Sequence, residues 1–233
     1  MHLKELNERS PLRLLEESIH GGLGPGNLGV VVARHGVGKT AFLVGVALDD
    51  LFRGRKVLHV SIGRTIEHIR EYYDEVFFDL ATKAKLEGAA EIRRDMERRR
   101  HIKAFLKGTF SVAKLKEHIA MVRDVLDFTP AAVMMDGYDF DTATPEGLEE
   151  LRGIAKDLKA EFWMSAHTHR ESKRDAEGIP EPVAAVKHAI DVILAMAHDG
   201  KAVHVRLLKD HDNPQVSDLS LALDPTTMLL VRE

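Results

Sequence analysis

Cysteine is absent from this sequence, which excludes a disulfide framework and any thiolate metal centre and gives no reason to place the chain in an oxidising compartment. Long apolar runs are missing too. No stretch approaches the length of a bilayer span, and the first 17 residues lack the apolar core of a signal peptide, so a cytoplasmic protein without membrane contact is expected. There is no excess of positive charge: the formal net charge is −4, which gives no general pull toward nucleic acid or anionic lipid. Internal repeats and low-complexity tracts are also lacking. What remains is an ordinary globular composition, 44% hydrophobic and 30% charged over 233 residues, enough to bury one core and form a single domain spanning 1–233.

Charge is unevenly spread. Residues 79–107 hold nine Lys or Arg against five Asp or Glu, so the rest of the chain is correspondingly more acidic. Arg93, Arg94, Arg98, Arg99 and Arg100 could grip a phosphate backbone. The carboxylates among them and the lack of interleaved aromatics favour a solvated helix face.

The segment Ala33-Arg34-His35-Gly36-Val37-Gly38-Lys39-Thr40 follows an apolar stretch (28–32) and precedes a helix-like segment that starts at Ala41. It reads as a phosphate-binding P-loop, with Ala33 where the first glycine usually stands. Backbone N–H groups from 33–41 would cradle the phosphates of ATP. Lys39 would reach the β- and γ-phosphates, and the Thr40 hydroxyl would ligate Mg²⁺. The following helix directs its positive end at the anion.

Elsewhere, strands and helices alternate. Strands are expected at 29–33, 57–62, 102–106, 131–135 and 162–166, with 57–62 and 131–135 of the buried kind. Helices are expected at 12–19, in the apolar segment 41–52, across a long charged region from 65 to about 100, at 112–126 with Ser111 as its N-cap, and from Pro145 to about 158. Short strands at 192–196, 202–208, 219–223 and 228–231, joined by turns, suggest antiparallel additions to one side of a parallel sheet. The fold class is therefore α/β, a mostly parallel sheet covered by helices on both faces.

The strand at 131–135 ends at Asp136, about 100 residues after the P-loop, where a second nucleotide motif would place a carboxylate for Mg²⁺ or its water. Asp139 and Asp141 are neighbouring alternatives in a loop. His167 and His169 alternate on an extended segment and could share a metal, though no third ligand is visible in the sequence.

The layout of GVVVARHGVGKT, VLHVSI, AAVMMDGYD, EFWMSAHTHR and LLKDHDN resembles the RecA-type P-loop ATPase core, in its KaiC and DnaB-helicase branch. The resemblance runs from about Leu12 through nearly the whole chain. It implies a three-layer RecA-like core and Mg²⁺-dependent ATP hydrolysis coupled to conformation or partner contacts, often in a ring or filament of identical subunits. It places His167 where the family has a γ-phosphate sensor, commonly glutamine. It places Lys209 and His211 where a neighbouring subunit supplies a lysine and an arginine. It also sets Gly63 where the family carries the glutamate that polarises the attacking water. That departure implies slow hydrolysis, with Glu67, four residues on, as the nearest replacement, and a Gly63→Glu change would then raise turnover. In relatives that handle DNA, the loop matching 170–182 faces the nucleic acid. Here Arg170, Lys173 and Arg174 are offset by Glu171, Asp175, Glu177 and Glu181. Two further readings stay open: a non-hydrolysing nucleotide-binding regulatory module, and a nucleic-acid-dependent accessory ATPase of helicase or recombinase type.

Overall fold

The apolar strand β1 (Leu28–Ala33) is buried along its whole length because parallel neighbours flank it on both sides and helices cover both its faces. The computed structural model describes residues 1–169, 171–200, 202–224 and 226–232. On one side β1 pairs with β5 (Glu161–His167), and beyond that lie β4 (Ala132–Asp136), β2 (Val57–Ile62) and β3 (Arg100–Phe105), all parallel. On the other side β6 (Val192–His198) is parallel to β1. It is followed by the antiparallel strands β7 (Val203–Asp210), β8 (Leu221–Leu223) and β9 (Leu230–Arg232). The sheet order is β3-β2-β4-β5-β1-β6-β7-β8-β9.

One face of this sheet packs against α1 (Leu3–Glu8), α2 (Leu12–Ser18), α3 (Lys39–Phe52), α4 (Ile66–Ala84) and α5 (Ala89–Arg99). The other packs against α6 (Val112–Leu126), α7 (Pro145–Leu158) and a 3-10 helix (Val183–Ala189). Helix α3 touches α4 and α5 as well as the sheet, which explains why it is apolar on nearly every side. Caps set several helix starts. Ser111 Oγ accepts from the Lys114 N–H at 3.3 Å, Thr65 Oγ1 from His68 at 3.2 Å and Thr144 Oγ1 from Gly147 at 3.1 Å, ahead of Pro145 in the first turn.

The expected α/β architecture is present, with some boundaries moved. The charged region 65–100 is two helices, because Lys85 and Gly88 adopt left-handed backbone (φ 48° and 68°) and reverse the chain between them. Strand β3 begins at Arg100. It carries charge because it is the sheet edge and its residues are only half-buried. The final strands are shorter than expected and start at Leu221 and Leu230. Helix α1 and the 3-10 helix carry too little periodicity to be read from sequence. Among the described residues, no helix is long and apolar enough to cross a membrane.

One residue of β1 is chosen for its size. Gly29 lies in register with Trp163 of β5, and a Cβ placed there would sit 2.6 Å from Trp163 Cε3 and 2.7 Å from Cζ3. Gly29→Ala therefore overpacks the sheet face under α3 and should destabilise the fold by about 1–3 kcal/mol. A urea midpoint unchanged from wild type would show that the indole moves aside freely.

Candidate functional site

β1 ends at Ala33, and the chain turns through 34–38 into the first turn of α3. Gly38 holds φ +107°, and a Cβ on it would lie 2.5 Å from Leu223 Cδ2, so β8 forms the back wall of the loop. Thr40, in the first turn of α3, is buried, and its hydroxyl donates to Asp136 Oδ2 at 2.7 Å. Asp136 closes β4, two strands away from β1. The intervening strand β5 supplies Ser165, whose hydroxyl donates to Asp136 Oδ1 at 2.7 Å and accepts from the Gly137 N–H at 3.0 Å. The two motifs singled out in the sequence thus meet in one buried hydrogen-bonded chain, Thr40–Asp136–Ser165.

Lys39 folds back over the loop, donating to the carbonyls of Ala33 and Arg34, both at 2.9 Å. Burial lowers its ammonium pKa to about 8, opposed by Asp136 and reinforced by Arg64. A cavity of about 970 Å³ opens beside these groups. His35, Gly36, Gly38, Lys39, Thr40 and Ala41 line it, facing the ends of β2, β4 and β5. Val37 turns the other way and packs on the core. Cations (Lys39, Arg64, Lys107) and carboxylates (Asp136, Asp139, Asp141) both reach the cavity. The Thr40 hydroxyl and Asp136 carboxylate, side by side, are the hard-oxygen pair that suits Mg²⁺, which keeps its remaining positions for water and phosphate.

His167 ends β5 at the cavity, its ring centroid 6.3 Å from that of His35 and 5.1 Å from that of His169. Burial first, and then Lys39, His169 and His35, push its pKa below the usual histidine value, with Asp141 opposing. Among the described residues no group of three or more His, Asp or Glu could hold a metal, so His167 and His169 lack the third ligand that a shared ion would need. Asp139 and Asp141 lie in the loop after β4. Asp139 accepts from the Asp141 N–H at 3.1 Å, and neither carboxylate bonds Thr40.

Ala33, Arg34 and Val37 of the expected loop do not line this cavity, and neither do Glu67, Lys209 and His211. Glu67 sits exposed in the first turn of α4 and does not line it. Gly63, which does line it, has φ +90°, a backbone that an L side chain adopts only under strain, so a glutamate cannot simply be restored there. Lys209 on β7 is tied within its own chain, its ammonium donating to the Lys187 carbonyl at 3.0 Å and also to that of Ile190. His211 likewise bonds Asp210 Oδ1 at 2.8 Å and the Leu23 carbonyl at 3.0 Å. The positive segment is partly neutralised: Arg93 pairs with Asp74 (3.0 Å) and Glu97 (3.7 Å), and Arg99 with Asp95 (3.2 Å). Arg170 lies outside the described residues.

Three contributors were not anticipated: Ser165, Arg64 and Lys107. A lone hydroxyl in the apolar strand EFWMSAH and a cation directly after VLHVSIG were the available signals. No protein-family model matches this chain, and no curated protein matches its sequence.

Behind the site, β2 buries His59, whose Nδ1 lies 3.1 Å from the Tyr73 hydroxyl and whose Nε2 has no partner among the described residues. The Arg100 guanidinium stands 4.3 Å above the Tyr73 ring. Burial, outweighing the attraction of Asp136 and aided by Arg100, lowers the His59 pKa to about 4. Because the unfolded chain takes up this proton near pH 6.5 and the folded chain only near 4, stability should fall as pH drops through that window, by about 3 kcal/mol from this residue. The double variant His59→Leu/Tyr73→Phe removes both polar partners and should flatten that part of the stability–pH curve measured by urea unfolding. An unchanged curve would assign the acid sensitivity elsewhere.

Proposed function

We propose that this chain is a RecA-like P-loop protein that binds ATP with Mg²⁺, hydrolyses it slowly and uses nucleotide state to alter its shape or its partner contacts. The observation that carries this reading is the 2.7 Å hydrogen bond between Thr40 and Asp136, which joins the P-loop to a strand-end carboxylate 96 residues away beside an open cavity. In the loaded site Lys39 would leave the carbonyls of Ala33 and Arg34 for the β- and γ-phosphates. Thr40 and Asp136 would hold Mg²⁺, which neutralises phosphate charge when bound, and the N–H groups of 36–38 would cradle the anion. His167 stands at the cavity rim, where a response to the last phosphate could pass into the segment after β5.

Slow turnover is supported by Gly63 in its positive-φ conformation and by Glu67 lying outside the cavity. The same two facts favour a second reading, a nucleotide sensor that does not hydrolyse at all. Leu223, packed close behind Gly38, and Met228, which lines the cavity, offer a route from nucleotide to the antiparallel strands in either case.

Mg-ATP at about a hundred times its dissociation constant should raise the melting temperature by about 5–10 °C, and Lys39→Ala should abolish the shift. No shift in wild type, or an equal shift in the variant, rejects ATP binding at this loop. On the same samples, turnover at full occupancy should stay below about 0.1 per second, reflecting the missing base. Turnover indistinguishable from buffer selects the sensor, and a rate that rises with protein concentration would point to assembly.

A further inference from the structure

The P-loop reading leaves two cavity cations unused, Arg64 and Lys107, and of these Arg64 is the one that bonds Thr40. It follows Gly63 at the end of β2, lines the cavity and is only half-buried. Ser61 Oγ donates to the Arg64 carbonyl at 3.3 Å, and the preceding residue, Gly63, is anchored by its own N–H, which donates to Phe105 O at 2.8 Å. The Arg64 side chain reaches across the cavity, where Nη1 donates to Thr40 Oγ1 at 3.3 Å and to His68 Nε2 at 3.2 Å. The guanidinium also lies 6.0 Å from the Tyr72 ring.

A guanidinium carries five N–H donors in a planar fork. Only those on Nη1 have protein partners among the described residues, so Nε and Nη2 are left to whatever enters the cavity. Thr40 marks the β,γ side of a P-loop phosphate chain, because its hydroxyl serves the ion that bridges those two phosphates. A cation resting on Thr40 is therefore next to the last phosphate of a triphosphate and farther from anything a diphosphate presents. It cannot stay on Thr40 once that hydroxyl serves a dication, since like charges repel. The nearest compensating anion is the terminal phosphoryl group, which the fork can grip through two parallel hydrogen bonds.

Resting on the nucleotide reading above, we infer that Arg64 is a terminal-phosphate clamp supplied by this chain itself, making the site selective for nucleoside triphosphate over diphosphate. It requires no neighbouring subunit, in keeping with Lys209 and His211 being engaged inside their own chain. Tyr72 and His68 act as positioning residues for the arginine: the first offers a ring face beside the guanidinium and the second an acceptor for Nη1.

The test is calorimetric titration, in excess Mg²⁺, of the β,γ-imido analogue of ATP and of ADP into wild type, Arg64→Ala and Arg64→Lys. Wild type should bind the triphosphate more tightly. Arg64→Ala should lose triphosphate affinity by about 10- to 100-fold while diphosphate affinity changes by less than about 3-fold, and Arg64→Lys should recover part of the loss. Arg64→Gln, which can still donate to Thr40, should behave like the alanine variant and serves if that one does not fold. The ratio of the two affinities is a readout that general loosening of the site would not move. If wild type binds both nucleotides and Arg64→Ala weakens them equally or not at all, the clamp is wrong and the nucleotide reading stands. If wild type binds neither, the nucleotide reading fails and takes the clamp with it.

Discussion

A carboxylate withdrawn from water is tolerated only where donors meet its oxygens, and the fold around Asp136 is organised by that requirement. Thr40 meets one oxygen and Ser165 the other, so three elements from distant parts of the sequence must arrive together: the start of α3, the end of β4 and the end of β5. Loss of either hydroxyl would leave a buried acceptor unpaired, at a cost of about 1–3 kcal/mol. Parallel pairing of β1, β5 and β4 supplies the alignment, because it brings the C-terminal ends of all three strands to one edge of the sheet. The cavity lies where those ends and the P-loop face each other, the usual place for a ligand in an open α/β sheet.

Around this polar knot, charge and conformation are held in tension. Lys39, Arg64 and Lys107 share the cavity with Asp136, Asp139 and Asp141, and His35 and His167 line it as well. Lys39 occupies backbone carbonyls and Arg64 a hydroxyl, both neutral acceptors, which are weaker partners than an anion. The side chains are thus arranged to gain more from a multiply charged ligand than from one another. Gly63 contributes differently. Its positive φ disfavours a side chain at the strand end, and the next residue, a cation, reaches Thr40 instead.

Much of the fold was legible in the sequence because its signals are local. Apolar runs such as LGVVVA and AVMMD can satisfy themselves only as buried strands, and Ser111, Thr65 and Thr144 are short side chains whose oxygens meet helix N–H groups within the same turn. The loop between β1 and α3 and the strand-end Asp136 were legible for the same reason. Residues that act across the sheet were not. Ser165 gains its meaning only from standing between β1 and β4, an order the chain does not spell out. Glu67 was near in sequence but was carried outward by the helix that Thr65 caps, whereas Arg64, one residue before that cap, was carried inward. The break between α4 and α5 escaped because lysine at 85 adopts a left-handed backbone that its identity does not advertise.

The sheet order has a consequence for how the chain reaches its native state. Strand β1 is the first strand made, yet both of its partners, β5 and β6, come from residues 161 onward, and the wall behind Gly38 comes from residue 223. On a ribosome working from the N-terminus, this strand, buried along its whole length in the finished fold, waits unpaired while well over a hundred residues are added. The P-loop is encoded early but acquires its surroundings late. The phosphate binding proposed for this loop would therefore be a property that a nascent fragment cannot display, and nucleotide affinity would report on completion of the sheet rather than on the presence of the motif.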